Sequence, residues 1–297
     1  MITIPLWMQA VDAQLEAVAF CDWFAAQRAS PIIGSAPAEI FDGVQHQQAP
    51  VKVARPFGWS LDSIRAVIEA AASVPDDTIL NRHNLGDAAV FWWFERPLRI
   101  PYKTLPEVQA LVGSWERQQD TNVFAITLWY RIDATRMFPG HSWEWQEGQS
   151  LAEPLAFTKM RGVFTPEVEK SDHAQLLDAV PKVSKFLLAA FAWLNQKILT
   201  VTEEHGERHA RKRYEKFVKH WHPVLIVHLR KREYQAGEPT SETHASLSYR
   251  FVVGGHWRNQ PCGPGHSDRK LIYIMPFVKG PEGTPFRPKL KVYEVTR

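Results

Sequence analysis

The chain has 297 residues, of which 45% are hydrophobic, so it can bury a sizeable core and does not have the composition of a disordered protein. Its two cysteines, Cys21 and Cys262, exclude a disulfide framework and a cysteine-rich metal site. No apolar run reaches the roughly 18 residues that a membrane-spanning helix needs. Residues 1–20 also lack the charge-then-apolar order of a signal peptide. We therefore expect a cytoplasmic protein without a membrane segment.

The formal net charge of +3 hides an uneven distribution along the chain. Residues 201–297 contain 18 Lys and Arg against 10 Asp and Glu, whereas acidic residues are in excess over residues 1–200. A basic end joined to an acidic remainder indicates a polyanionic partner, such as nucleic acid. The alternative is a chance excess of solvated cations.

The first predicted elements are helical. Residues 6–28 have the pattern of a helix, and the proline-rich residues 30–56 predict an irregular connector. Ser60 has the properties of an N-cap for a second helix. The apolar residues of that helix follow at helical spacing, at Leu61, Ile64, Val67, Ile68 and Ala71.

The next stretch predicts a strand, a helix and a strand. Residues 88–94 form a continuous apolar run that is typical of a strand buried on both faces. Thr104 and Glu107 form a capping-box pattern, which predicts a helix whose apolar side contains Leu105, Val108, Leu111, Val112 and Trp115. Residues 122–132 then predict a second strand. This order favours a right-handed parallel crossover.

The remaining pattern predicts a fold of the α/β (α+β) class. Residues 139–154 have a turn-rich composition, and residues 171–200 predict a helix that Pro181 kinks or restarts. A basic segment and several short strands follow, which predict a small sheet or a partly open barrel. We expect a helix/strand domain over residues 1–200 and a small basic, β-rich domain over residues 201–297.

The densest group of candidate binding residues lies in the predicted C-terminal domain. Gly254 and Gly255 follow a strand and allow a close approach of the backbone to a ligand. Charged donors for phosphate alternate there with aromatic faces on which bases stack. These residues are His256, Trp257, Arg258, His266, Arg269, Lys270, Phe277 and Lys279. The alternative is a Gly/Pro-rich hairpin with Trp257 in its core and Arg258 on its surface.

A second group lies in residues 205–214. If this segment is helical, Arg208, Arg211 and Lys212 share one side and are spaced to contact a phosphate backbone, with Arg213 beside them. The alternative is an ordinary solvated helix face. The metalloprotease pattern fails here because Gly206 stands where that pattern requires Glu. We expect no metal site and no cofactor.

The run His256-Trp257-Arg258-Asn259-Gln260, with the later Lys279-Gly280-Pro281, resembles the C-terminal end of an uncharacterised protein family of actinobacteria, their phages and their plasmids. Residues 91–98 are similar to an N-terminal stretch of the same family. In some relatives an aromatic residue follows the Asn-Gln pair, where this chain has Pro261-Cys262. The resemblance implies a shared module in a mobile-element or phage setting and no particular activity.

Three functions are compatible with these patterns. The first is nucleic-acid binding without catalysis, within a mobile element or a host–phage conflict system. The second is a metal-independent, toxin-like ribonuclease in which His256, His266 and Arg258 supply acid, base and phosphate stabilisation. The third is a protein-interaction or inhibitor module anchored by exposed Trp143 and Trp145. Whether a reaction is catalysed, and whether the nucleic acid is DNA or RNA, stays open at this point.

Overall fold

A computed structural model describes residues 4–26, 49–86, 88–98, 107–118, 120–131, 137–150, 156–159, 170–196, 198–218, 221–229, 248–281 and 283–287. These residues belong to two compact units, Met1–Arg230 and Lys231–Arg297, which we call the large unit and the small unit. The chain as a whole has the expected α/β (α+β) class. Helices and a large sheet dominate the large unit, and short strands dominate the small unit.

The helices of the large unit are α1 (Leu6–Ala26), α2 (Leu61–Ala71), α3 (Arg82–Leu85), α4 (Lys170–Asn195) and α5 (Arg208–Glu215). Its strands are β1 (Arg55–Trp59), β2 (Val90–Leu98), β3 (Val108–Gln118), β4 (Thr121–Arg131), β5 (Met137–Gln146), β6 (Ala156–Lys159), β7 (Leu199–Glu204) and β8 (Val224–Leu229). Most of the predicted connector over residues 30–56 lies outside the described residues.

The strands of the large unit form one eight-stranded sheet in the order β6-β5-β4-β3-β2-β1-β8-β7. Strands β2 to β6 are consecutive antiparallel neighbours, whereas β1 pairs in parallel with both β2 and β8. The sheet therefore continues past residue 200, where the sequence pattern placed a domain boundary. Strand β8 joins this large sheet, and not a small C-terminal one, because its residues Val224–Val227 are buried as in an interior strand.

Helices cover both faces of this sheet. One face packs against α1, and its core includes Phe91, Trp93 and Trp129. On the other face, Trp92 and Phe124 contact Phe191 of α4, with ring centroids 4.5 and 6.0 Å apart. Residues that alternate along β2 thus point to opposite, equally apolar layers, which explains why this strand lacks an alternating sequence pattern.

The predicted helix after Thr104 was wrong over its described part. Residues Val108–Gln118 form strand β3, which is antiparallel to both β2 and β4, so the predicted parallel crossover is absent there. Val108, Leu111 and Val112 are spaced as on a helix, but the whole run 108–114 is buried on both faces of the sheet. In such a run periodicity cannot separate a strand from a helix. A strand–helix–strand crossover occurs instead one element earlier, through β1, α2 and β2.

The stretch with Trp143 and Trp145, which was predicted to be turn-rich, is a strand. Both residues lie in strand β5, paired with Ile126 and Phe124 of β4, and both are almost completely buried, at 1% and 0% exposure. They cannot anchor a partner at the surface, so this reason for a protein-interaction module is lost. The alternation Trp-Glu-Trp is itself a strand pattern, in which both indoles point to the same side of β5.

Two helix predictions were confirmed. Ser60 caps α2, and its hydroxyl accepts a hydrogen bond from the Ser63 backbone N–H at 3.4 Å. The Ser63 hydroxyl donates to the Val227 carbonyl at 3.1 Å and so ties the start of α2 to β8. Helix α4 runs through Pro181 as one element, so proline does not restart it.

The small unit consists of short strands, β9 (Phe251–Val253), β10 (His256–Cys262), β11 (Asp268–Ile274) and β12 (Phe277–Lys279). Strands β10 and β11 form an antiparallel hairpin, and β9 pairs separately with β12. Trp257 and Leu271 are its buried apolar residues among those described. The described residues of the small unit therefore bury less apolar side-chain surface than those of the large unit.

Candidate nucleic-acid interface

Helix α5 is the predicted basic helix, and its start is set by a glycine. Gly206 adopts a positive φ of 63° and packs against Trp221 and Trp7. A Cβ at this position would lie 3.0 Å from the Trp221 ring and 3.2 Å from the Trp7 ring. Both the left-handed backbone and the aromatic neighbours therefore favour glycine. This turn fixes where α5 begins.

A buried polar network holds α5 on α1. The Tyr214 hydroxyl is in the interior and donates a hydrogen bond of 2.8 Å to Oε1 of Gln14. Nε2 of Gln14 donates to the carbonyls of Val51 and Ala54 at 2.8 and 2.9 Å. Burial raises the pKa of Tyr214, so the phenol stays neutral and able to donate. Since the network is fully satisfied, α5 has a defined orientation.

The opposite side of α5 presents its cations to solvent. Arg208, Arg211 and Lys212 are exposed and share one side of the helix, and we call them the helix surface. Arg213 has another role because its guanidinium forms an ion pair with Asp12 on α1. Lys216, just past the helix, adds an exposed cation that the sequence analysis did not single out.

The hairpin of β10 and β11 has one polar and one apolar side. The pairs Arg258–Ile272 and Gln260–Lys270 lie on one side, since directly paired residues of an antiparallel hairpin point the same way. Arg258 is exposed and Lys270 half-buried, and we call this pair the hairpin surface. His256 is exposed on the same side, at the far end of β10.

Trp257 points to the apolar side of the hairpin. It is 8% exposed and packs on Tyr273, with ring centroids 4.9 Å apart. This is the arrangement of the alternative interpretation, with Trp257 inside and Arg258 outside. A base can stack on Trp257 only if the hairpin opens. Phe277 on β12 is 40% exposed and offers an aromatic face without such a change.

Two other predicted cations have different surroundings. Nη1 of Arg269 donates to the carbonyls of His266 and Asp268, at 2.8 and 3.1 Å, and so braces the turn between β10 and β11. Lys279 is exposed on β12, in the other two-stranded sheet. The hairpin brings Arg258 and Lys270 together, but it does not include Lys279.

The two candidate catalytic histidines lie at opposite ends of the hairpin. His256 begins β10, and His266 is in the turn after Cys262, where β10 ends. Cys262 lies six positions after His256 along the strand, a span of about 20 Å at roughly 3.3 Å per residue. An acid and a base acting on one phosphate must both reach it by hydrogen bonds. This geometry does not assemble the pair that the ribonuclease hypothesis needs.

The described residues contain no group of three or more His, Cys, Asp or Glu that could hold a metal ion. Within the same residues, no helix has the length and hydropathy to cross a membrane. Cys21 and Cys262 are both free thiols, the first buried and the second partly exposed. Burial raises the pKa of the Cys21 thiol to about 12, with the Asp22 carboxylate adding to the shift and Lys52 opposing it.

Sequence reasoning missed the network that positions α5. Gln14 and Tyr214 are far apart in the chain, and Gln14, one of the two glutamines of α1, resembles an ordinary surface position. The only local signal was that Gln14 falls between Ala13 and Ala17 on the buried side of α1. Pairing it with Tyr214 requires the tertiary structure.

Comparisons with known proteins give one family. Residues 90–278 match the AcrVA2-like family, described as the anti-CRISPR type V subtype A2 family. No curated protein matches the chain. The match contains the FWWFERPL stretch and the hairpin but ends before Lys279-Gly280-Pro281. It agrees with the phage setting that the sequence resemblance implied, although it does not test the C-terminal motif. Since the match covers more than half of the chain, this protein belongs to the AcrVA2-like anti-CRISPR family.

Proposed function

We propose that this protein inhibits type V CRISPR immunity by binding nucleic acid through the helix surface. The observation that carries the proposal is that Arg208, Arg211 and Lys212 point away from a helix whose inner side is fixed by Tyr214 and Gln14. Anchored cations lose less conformational freedom on binding than cations on a mobile segment. The family description supports the inhibitory part of the proposal.

The helix surface matches the chemistry of a phosphate backbone. Its three cations lie on adjacent turns, so each can contact a different phosphate, and Arg can bind one through two parallel hydrogen bonds. No base-reading group is needed for such contacts, so we expect little sequence preference. The hairpin surface, Arg258 and Lys270, supplies a second cationic site of the same kind in the small unit.

The test combines binding with inhibition. We would measure binding of fluorescently labelled single-stranded and duplex DNA and RNA by anisotropy at two salt concentrations. The triple variant Arg208→Glu, Arg211→Glu, Lys212→Glu should lose most of the affinity. Because it removes about three phosphate contacts, the slope of log affinity against log salt concentration should also become smaller. The same variant should fail to inhibit cleavage by a type V CRISPR effector in vitro.

A matched control has the same change in charge at another place. Arg65, Arg96 and Arg117 are exposed residues of the large unit outside α5, and each would be changed to Glu. This control should keep both binding and inhibition. If it loses as much affinity as the helix-surface variant, only the overall charge matters and the proposed interface is wrong.

An inhibitor directed at the effector protein is the second candidate. Phe217, 48% exposed, lies directly after α5 beside Lys216, and an exposed aromatic residue next to cations is typical of protein–protein contacts. This candidate predicts that Phe217→Ala abolishes inhibition while nucleic-acid binding is unchanged. Inhibition that survives the loss of nucleic-acid binding in the triple variant would favour it over the main proposal.

A further inference from the structure

Strand β7 forms an open edge of the large sheet. It is the last strand in the sheet order and pairs with β8 along its whole length, from Leu199 opposite Leu229 to Glu204 opposite Val224. Within the part of the chain that the structure describes, no strand pairs with its other side. The backbone N–H and C=O groups on that side of an edge strand can pair with a further strand.

The edge of β7 lacks the features that usually prevent pairing between chains. Such features are proline, lysine, a bulge, a very short strand or a covering element. Strand β7 has six residues without Pro or Lys, and its register with β8 has no bulge. Residues 200–203 are exposed, and Val201 at the centre is 39% exposed. The Thr-Val-Thr sequence there is β-branched and favours a strand.

The two carboxylates of β7 do not protect this edge. Nη2 of Arg55 on β1 donates a hydrogen bond of 2.7 Å to Oε1 of Glu203. Since β1 lies beyond β8 in the sheet, the Glu203 side chain reaches across β8 and away from the open edge. Glu204 is half-buried at the end of the strand. The centre of the edge therefore carries no charge.

The residue order of β7 favours a second copy of the same strand as its partner. A two-fold axis through an antiparallel pair places one residue opposite its own copy. With Val201 at that position, Thr200 lies opposite Thr202 of the second copy, and Glu203 lies opposite Leu199. Pairs of β-branched residues stabilise a sheet, whereas like charges directly opposite each other destabilise it. Parallel pairing in register would bring Glu203 against its own copy, so the antiparallel arrangement is favoured.

We propose that two copies of this chain pair antiparallel through β7, with Val201 opposite Val201, and form a closed dimer with one continuous sheet. Glu204 lies three positions beyond Val201 in each copy, so the ends of the two strands are about 20 Å apart at roughly 3.3 Å per residue. Helix α5 begins three residues beyond each end, after residues 205–207. The dimer thus presents two helix surfaces to one nucleic-acid strand. This last point rests on the proposed function, whereas the dimer itself does not.

Sedimentation velocity of the full chain between about 1 and 100 μM tests the dimer. The average mass should rise with concentration from that of one chain toward that of two. Val201→Lys places two ammonium groups opposite each other and should weaken dimerisation by at least about tenfold. The control Val53→Lys makes the same change at a helical residue that is 62% exposed and should dimerise like the wild type.

Two results would overturn the dimer. The first is a wild type that stays monomeric over this concentration range, and the second is an equal loss of dimer in both lysine variants. Circular dichroism checks that each variant folds. If Val201→Lys does not fold, Thr202→Lys, at the neighbouring exposed position of the same edge, serves in its place and should show the same loss.

Disulfide cross-linking tests the register. In a Cys262→Ser background, which removes the partly exposed thiol, Val201→Cys should form a covalent dimer under mild oxidation. Val53→Cys in the same background should stay uncross-linked. A protein that dimerises without cross-linking through Val201→Cys would overturn the register with Val201 opposite its copy.

Fluorescence anisotropy separates the dimer from the proposed function. At a protein concentration at which the wild type is dimeric, it should bind a single strand of about 40 nucleotides several-fold more tightly than Val201→Lys does, because two linked sites reach the same strand. A strand of about 5 nucleotides should bind both proteins equally. Equal binding of the long strand would overturn the joint use of the two helix surfaces. A wild type that dimerises but binds no nucleic acid would contradict the proposed function and leave the dimer in place.

Discussion

The large and small units contain similar kinds of residues but use them differently. In the large unit the tryptophans of β2, β4 and β5 are interior residues between two helical layers. Its cations lie on α5, whose inner side is held by a buried hydrogen bond. In the small unit a single tryptophan, Trp257, holds one hairpin together, and the cations lie directly on its strands. Aromatic content alone is thus a poor indicator of a binding surface. A better indicator is whether the charged side chains lie on an element that packs against a core.

The largest difference is expected from removing one tryptophan in each unit. Trp129 is fully buried and meets Phe20 edge-on, with ring centroids 6.2 Å apart. Trp129→Ala should cost about 3–5 kcal/mol because it leaves a large cavity. Trp257→Ala should disturb the small unit alone and leave the main unfolding transition in place. Urea unfolding followed by far-UV circular dichroism checks both, and an equal shift of the main transition would contradict the comparison.

Two glycines give a smaller, matched contrast. A Cβ at Gly140 on β5 would overlap the ring of Tyr130, which is buried and cannot move aside. Gly140→Ala should therefore cost about 1–3 kcal/mol. A Cβ at Gly255 would meet the hydroxyl end of Tyr273, which is only partly buried and can swing away. Gly255→Ala should cost less, and thermal melts of the two variants measure the difference.

The smallest effect concerns the two thiols. At pH 8 an aromatic disulfide reagent should modify Cys262 in the native protein and reach Cys21 only after unfolding. The pKa of the buried Cys21 is about 12, against 9.0 for an ordinary thiol, so above pH 9 the unfolded chain loses a proton that the folded chain keeps. Stability falls with rising pH in that window, by about 1–2 kcal/mol near pH 10.5.

The variant Cys21→Ala isolates this contribution. Because it removes the titrating group, its urea midpoint should decline less between pH 8 and pH 10.5 than that of the wild type. Rapid modification of Cys21 in the native protein would show that the interior of the large unit opens as readily as the hairpin. The contrast between the units would then fail.

Sequence patterns predicted the elements that have one apolar side. The helix after Ser60 was recognisable because its apolar residues recur at helical spacing behind a capping residue. Strand β3 was not, since both of its sides are buried from Val108 to Ser114, and all residues there except Gln109 are apolar or small. The capping-box pattern at Thr104 and Glu107 then favoured a helix over a strand in the prediction.

The candidate site was predicted in part. The basic helix and its exposed cations follow from local spacing, and the hairpin with Trp257 inside was one of two interpretations. Its anchoring by Tyr214 and Gln14 was not predicted, because contacts between distant segments have no local pattern. The separation of His256 from His266 likewise depends on β10 being a straight strand between them.

The parallel placement of β1 has a consequence for the order of folding. Phe57 pairs with Trp92 on one side and with Leu225 on the other, and Leu225 follows it by more than half the length of the chain. The meander from β2 to β6 needs only neighbouring segments, so it can assemble early during synthesis. Strand β1 cannot pair with β8 until β8 has left the ribosome. Until then the edge of β1 that β8 covers in the folded protein is unpaired, and an unpaired strand edge can pair with another chain.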